Sequence, residues 1–369
     1  MWRVSCLLGW IALCSQTILC APAPAHDIAS GVFRAGAAKV DITPALGVSL
    51  DGPISKNGPT KAVHDPLHAR ALVLDDGATR LVIVVCDACV VGRDVFDAAK
   101  ARIERAIQLP ASHMLMAATH SHAAVRAVHI GRTPQDDAYH RVLAESITEA
   151  VFAACRNLAP ARIAFTSFEK PDLVKCRRFV CNPATVSANP FGETDELIKS
   201  VAGTSTAILR PAGPTDPEVS IVAVQHADGT PLALLANYSV HYAGGQQRGV
   251  VSADYFGYFD EAIERQLGSA GRVPPYVAIM SHGTRGATSA MASCGTQYER
   301  FELMQVAGRE MARAVLAQIE SVSYDHAIEL AARESRVSFD VRQPDAARLA
   351  WAEEVLANPS SGALPHRMA

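Results

Sequence analysis

Three histidines carry the spacing from which chemistry could be built. His120-Ser121-His122 follows the apolar run at 113–119, HMLMAAT, and His241 follows the run at 231–238 in NYSVHYAGG. Residues separated by one position on a strand face the same side. Both imidazoles of the pair are therefore expected at a strand end, where open α/β sheets carry their ligands. Imidazoles arriving from two strand ends can share one ion. Zinc takes neutral ring nitrogens, and a catalytic zinc usually has three protein ligands and one open position. An HxH pair alone is equally the mark of a hydrogen-bonded polar turn, so the second strand end matters to the argument.

A second cluster is Ser281-His282-Gly283-Thr284-Arg285-Gly286-Ala287-Thr288-Ser289, placed after an apolar run at 276–281. Small residues there let backbone approach a ligand, and free N–H groups can receive an oxyanion. Ser281 or Ser289 would be the nucleophile of such a site; the plainer reading is a glycine-rich loop that caps a helix. Asp254 in VSADYFGYF, Arg177-Arg178 before Phe179, and Asp41 in KVDITP are further charged candidates. Each residue type is more often a salt bridge or a cap than a reacting group.

The elements that must position these residues alternate. Strands are expected at 69–75 and 80–86, joined by a turn at Asp75-Asp76-Gly77, and a helix at 93–107 stops before Pro110. A short buried strand at 113–119 and a helix at 139–156 follow. A hairpin at 218–236 turns at Asp228-Gly229; a strand at 276–281 and helices at 298–320 and 344–357 complete the pattern. This is an α/β layout with a mixed β-sheet core flanked by helices. The span 182–218, rich in Pro, Asn, Gly and Thr, reads as a long loop of the kind that often serves function.

Composition excludes some classes. The 369 residues are 49% hydrophobic and 19% charged, with 34 basic and 37 acidic side chains and a formal charge of -3. That balance provides no basic field for nucleic acid and no basic patch for a membrane surface. Residues 1–25 read as a signal peptide: Arg3, an apolar stretch from Val4 to Leu19, then Ala21-Pro22-Ala23-Pro24-Ala25 as an A-x-A exit. Export to the periplasm or the extracellular space follows, with residues 26–369 as one domain and no transmembrane segment after the signal. The mature chain would keep Cys86, Cys89, Cys155, Cys176, Cys181 and Cys294. Cys176 and Cys181 are the expected disulfide, and Cys86-Asp-Ala-Cys89 is expected to hold buried structural thiols.

Seven segments taken in order resemble the neutral/alkaline non-lysosomal ceramidase family, in its shorter bacterial form: AGAAKVDITPALGV at 35–48, DPLHARALVLDDG at 65–77, AATHSHAA at 117–124, GPTDPEVSIVAVQ at 213–225, ANYSVHYAGG at 236–245, VSADYFGYF at 251–259 and IMSHGTRG at 279–286. The resemblance implies one Zn2+ ion that activates water to cleave the amide of an N-acyl sphingoid base, a small-molecule lipid amide. It places metal ligands on His120 and His241, and a substrate-facing histidine on His122. It places the family's arginine on Arg178 or Arg177, its serine on Ser289, and a supporting carboxylate on Asp254. Asp254 or Asp87 would be the nearest source of a further ligand. The chain departs from the family where Gly286-Ala287 stands for Gly-Asp, and around Ser289. The family's remaining zinc ligands, a glutamate and a tyrosine, fall beyond Ala369, so a C-terminally truncated catalytic domain is expected. The competing expectation is an exported, non-catalytic relative that keeps the fold and binds a ligand or metal.

Overall fold

The computed structural model describes residues 32–50, 57–128, 134–185, 198–199, 205–268, 271–289 and 298–357. The expected signal peptide and Cys294 lie outside them. Eight strands form the main sheet: β1 (Arg34–Asp41), β2 (His68–Asp75), β3 (Arg80–Cys86), β4 (Met114–Ala118), β5 (Ala159–Glu169), β6 (Glu218–His226), β7 (Pro231–Tyr238) and β8 (Val277–His282). The helices are α1 (Arg93–Ile107), α2 (Pro134–Arg156), α3 (Asp254–Leu267), α4 (Glu302–Ile319) and α5 (Ala346–Ala357).

The strand order across the sheet is β8-β7-β6-β5-β1-β2-β3-β4. Each half repeats one pattern. An antiparallel hairpin (β2–β3 or β6–β7) is followed by a helix (α1 or α3) and a strand parallel to the hairpin's second arm. The halves meet where β1 pairs with β5, and only Arg34↔Pro160 and Ala35↔Ala159 are in register there. So short a junction lets the sheet bend, and the edge strand β8 packs against β3 and β4.

Side-chain alternation sorts the layers. In β2, Leu72 and Leu74 join Ala35, Ala37, Ile163, Val224, Val277 and Ile279 in a core between the two half-sheets. Their neighbours Ala69, Ala71 and Val73 face outward onto Val95, Ala99 and Ile103 of α1 and Leu143 and Ile147 of α2. In β8 the intervening Ala278 and Met280 face α3 and α4, with Phe256, Phe259, Met304 and Met311. The result is four layers, helix, sheet, sheet, helix, with apolar contact on both faces of each half-sheet.

Most expected elements are present, two of them to the residue, at 80–86 and 93–107. β4 is the exception in character: only Met114 is buried and Leu115 is 64% exposed, because β4 is an edge strand rather than a buried one. Part of the expected loop at 182–218 is structured, since Phe179–Cys181 pairs with Ile198–Lys199 and Ile208–Pro211. Cys176 and Cys181 are free thiols, directed at the carbonyls of Arg178 and Phe179, so the expected disulfide is not formed. Cys86 and Cys89 are buried and free, as the reading of structural thiols required. Among the described residues no helix is long and apolar enough to cross a membrane.

Candidate metal centre

The bend of the sheet brings four carboxyl ends of strands together. The segment after β3 supplies Cys89, that after β4 supplies His120 and His122, that after β7 supplies His241 and Tyr242, and β8 ends in His282. The ring centroids of His120 and His122 lie 4.7 Å apart, and His241 lies 5.1 Å from the first and 5.4 Å from the second. His282 stands 6.1 Å from His120 and 6.2 Å from His241.

His120 reaches its place through a left-handed backbone, φ 66°, an uncommon conformation for a residue with a Cβ. Its N–H bonds Ala88 O at 2.8 Å, and Thr119 N–H bonds Cys86 O at 3.0 Å. The two histidines thus share a side because the chain turns after β4, not because they alternate along a strand. Ser121 between them is buried and donates to Ser252 O at 2.7 Å.

Proton positions follow from the partners. His120 Nδ1 lies 2.6 Å from Cys89 O and His241 Nδ1 lies 3.2 Å from Arg285 O. A carbonyl only accepts, so each Nδ1 carries the proton and each Nε2 presents a lone pair. His241 Nε2 is buried and has no hydrogen-bond partner among the described residues. His120 Nε2 lies 3.1 Å from His122 Nε2, which must therefore donate to it. A backbone carbonyl on the far ring nitrogen is the usual outer partner of a metal-binding histidine.

Cys89, His120 and His122 offer ligand atoms that all lie within 4.8 Å of one another, a grouping compatible with a metal ion. Chemistry favours the imidazoles over the thiol. Cys89 Sγ stands 3.9 Å from His120 Nδ1, the protonated nitrogen, and burial pushes its pKa up, against the pull of Arg126 and Arg285. The two lone pairs with fixed tautomers belong to His120 and His241.

Burial is the first cause that keeps all four rings neutral. It lowers His120, takes His122 down to about 3, His241 to about 4 and His282 to about 2. Nearby positive charge adds to this: Arg126, Arg177 and Arg285 act on His120, and Arg177 and Arg285 on His241. His122 stacks on Tyr242 with centroids 3.8 Å apart and planes 16° from parallel.

Asp254 is fully buried at the start of α3. Its carboxylate accepts from the N–H groups of Ala243 at 2.8 Å, Gly244 at 3.3 Å and Tyr255 at 2.6 Å. It thereby fixes the loop that carries His241 and touches it from behind. Asp87, also buried, accepts from Arg70 Nη1 at 2.5 Å and from His68 N–H at 2.9 Å. Arg177 is half-buried, with Nε and Nη2 on Gly286 O at 3.2 and 2.8 Å, whereas Arg178 is exposed. Ser289 pairs its backbone with Lys175 in the short ladder Thr288–Ser289 against Lys175–Cys176. Ser281 turns away, donating to Ala236 O at 3.0 Å. The sequence pointed to this loop but not to His282 and Arg285 as its polar side chains at the centre. Tyr242 was legible only as a neighbour of His241.

These features define an α/β protein with a partly buried imidazole cluster at the carboxyl ends of two parallel strand pairs. No sequence-family model matches the chain. Among solved structures, neutral ceramidase from Pseudomonas aeruginosa matches with a TM-score of 0.57 and 19% identity, over 79% of this chain and 44% of that one. A ceramidase complexed with C2 matches with a TM-score of 0.60 and 20% identity, over 79% of this chain and 45% of that one. The fold is therefore ceramidase-like, and the chain spans less than half the length of either structure.

Proposed function

We propose that the protein is a hydrolase of the ceramidase type, in which His120 and His241 hold one zinc ion and the substrate is an N-acyl sphingoid base or a related lipid amide. The observation that carries the reading is the buried, unpartnered Nε2 of His241, on a ring whose centroid lies 5.1 Å from that of His120. Leaving such an atom without a partner costs about 1–3 kcal/mol, a cost an ion would remove. Bound there, zinc supplies Lewis-acid polarisation of a carbonyl and lowers the pKa of water toward about 7.

The chain's own groups have distinct parts in this reading. His122 is neutral, and among the described residues its donating Nε2–H is held by His120 Nε2. Once that lone pair is used elsewhere, the N–H is released to an oxygen of the substrate. Tyr242 keeps the ring in plane by stacking. Asp254 holds the His241 loop, and Arg177, inward where Arg178 is exposed, is the arginine of the site. Ser289 closes the loop that also carries Arg285. Residues 1–25 as an export signal and 26–369 as part of a ceramidase-type catalytic domain complete the proposal.

Elemental analysis tests it. The purified protein should contain about one zinc per chain, and His120→Ala and His241→Ala should each abolish that content while circular dichroism stays unchanged. Zinc retained in both variants would remove the assignment. Release of the fatty acid from a fluorescent short-chain ceramide then tests the reaction itself.

A further inference from the structure

The loop after β8 places a second arginine at the centre. Arg285 N–H bonds Gly283 O at 3.0 Å, and its carbonyl accepts from Thr288 N–H at 3.0 Å, Thr288 Oγ1 at 3.0 Å and His241 Nδ1 at 3.2 Å. Its side chain is aimed by His282: Arg285 Nε donates to His282 Nδ1 at 2.9 Å, and the opposite ring nitrogen of His282 donates to Val240 O. The guanidinium is half-buried, and its two terminal nitrogens have no protein partner among the described residues. Arg177 approaches from the Lys175–Cys176 ladder, with two of its nitrogens on Gly286 O and the third without a partner among the described residues. Arg177 is among the positive charges that act unfavourably on Arg285, and no carboxylate among the described residues forms an ion pair with either.

Holding two like charges together at a half-buried site is unfavourable unless an anion joins them. Guanidinium is the side chain suited to bind carboxylate or phosphate through two parallel hydrogen bonds. Arg285 is fixed by His282 in advance, so little conformational freedom is lost when an anion arrives. We infer that Arg285 and Arg177 form a receptor for an anionic group, carboxylate or phosphate, on the substrate, so that the preferred compounds are acidic N-acyl amides rather than neutral ones. This rests on the proposal that the histidine cluster is where the amide reacts.

Binding and turnover are measured separately on the full chain. Isothermal titration uses N-lauroylglycine and N-lauroyl-O-phosphoethanolamine as the carboxylate and phosphate probes, and N-lauroylethanolamine as the neutral one. At least one acidic probe should bind about tenfold or more tightly than the neutral probe, with Arg285→Gln and Arg177→Gln each removing most of that preference. Arg177→Gln leaves the Arg285–His282 contact in place, so it guards against a merely structural effect. The better of the two acidic probes identifies carboxylate or phosphate as the group recognised. Equal binding of all three, or an acidic preference untouched by both variants, overturns the receptor. Hydrolysis of the same three compounds is scored apart. An arginine-dependent acidic preference without cleavage sinks the hydrolase reading and keeps the receptor; cleavage of all three at equal rates does the reverse.

Discussion

At the scale of single residues, the site is a set of side chains held away from their usual ionisation. Burial lowers His122, His241 and His282 to about 3, 4 and 2, whereas the same groups in an unfolded chain protonate near 6.5. The unfolded chain then binds more protons between those values, so folding stability is complete above pH 6.5 and declines as the pH falls below it. The denaturant midpoint of metal-stripped protein should drop steadily from pH 6.5 to 4, and His282→Gln should make that drop shallower; a midpoint flat with pH would contradict the burial argument. Asp254 is a different case, since three backbone N–H groups converge on it and its φ is 61°. Replacing it by Ala strands those donors and should cost about 2–4 kcal/mol in a urea titration. Asn, which tolerates the left-handed region and retains an accepting oxygen, should lose less than half of that.

At the scale of elements, packing sets where the strand ends point. Gly308 of α4 lies against α3 so closely that an added Cβ would sit 2.6 Å from Tyr255 O, 2.7 Å from Tyr258 Cβ and 2.9 Å from Phe259 N. Gly308→Ala should therefore lower stability by about 1–3 kcal/mol despite the better helix propensity of alanine, as thermal unfolding would record. The elements themselves were largely readable. α1 was expected at 93–107 and occupies those residues, because its apolar side chains recur at helical spacing and Pro110 closes it. β1 and β5 were not expected: Arg34–Asp41 is rich in alanine, and in Ala159–Glu169 the apolar Ile163, Phe165 and Phe168 are interrupted by Pro160, Arg162 and Ser167. Both become strands by pairing with neighbours distant in sequence. The histidines His120, His122 and His241 were legible because each follows an apolar run. Arg285 and His282 were not singled out there, because their partners come from β7 and from each other across a turn that no local pattern encodes.

At the scale of the whole molecule, charged contacts cross between the halves beneath the site. Arg70 on β2 bonds Asp87 at 2.5 Å and approaches Asp260 of α3 at 3.1 Å, and all three side chains are almost wholly buried. Lys39 of β1 reaches Glu264 of α3 at 2.5 Å nearby. Removing one partner of a buried ion cluster leaves uncompensated charge. Arg70→Met should cost about 3–5 kcal/mol at pH 7, and lowering the pH should recover part of it by protonating the stranded Asp260, which burial already pushes upward. Loss that does not respond to acid would place the effect in packing alone. The narrow seam between β1 and β5, two residue pairs wide, has its own consequence. His120 and His122 belong to the stretch before it, His241 and His282 to the stretch after it. A protease cut in the turn at Asn157-Leu158 would therefore give two pieces, each with half of the imidazoles, and only their reassembly would restore a complete cluster.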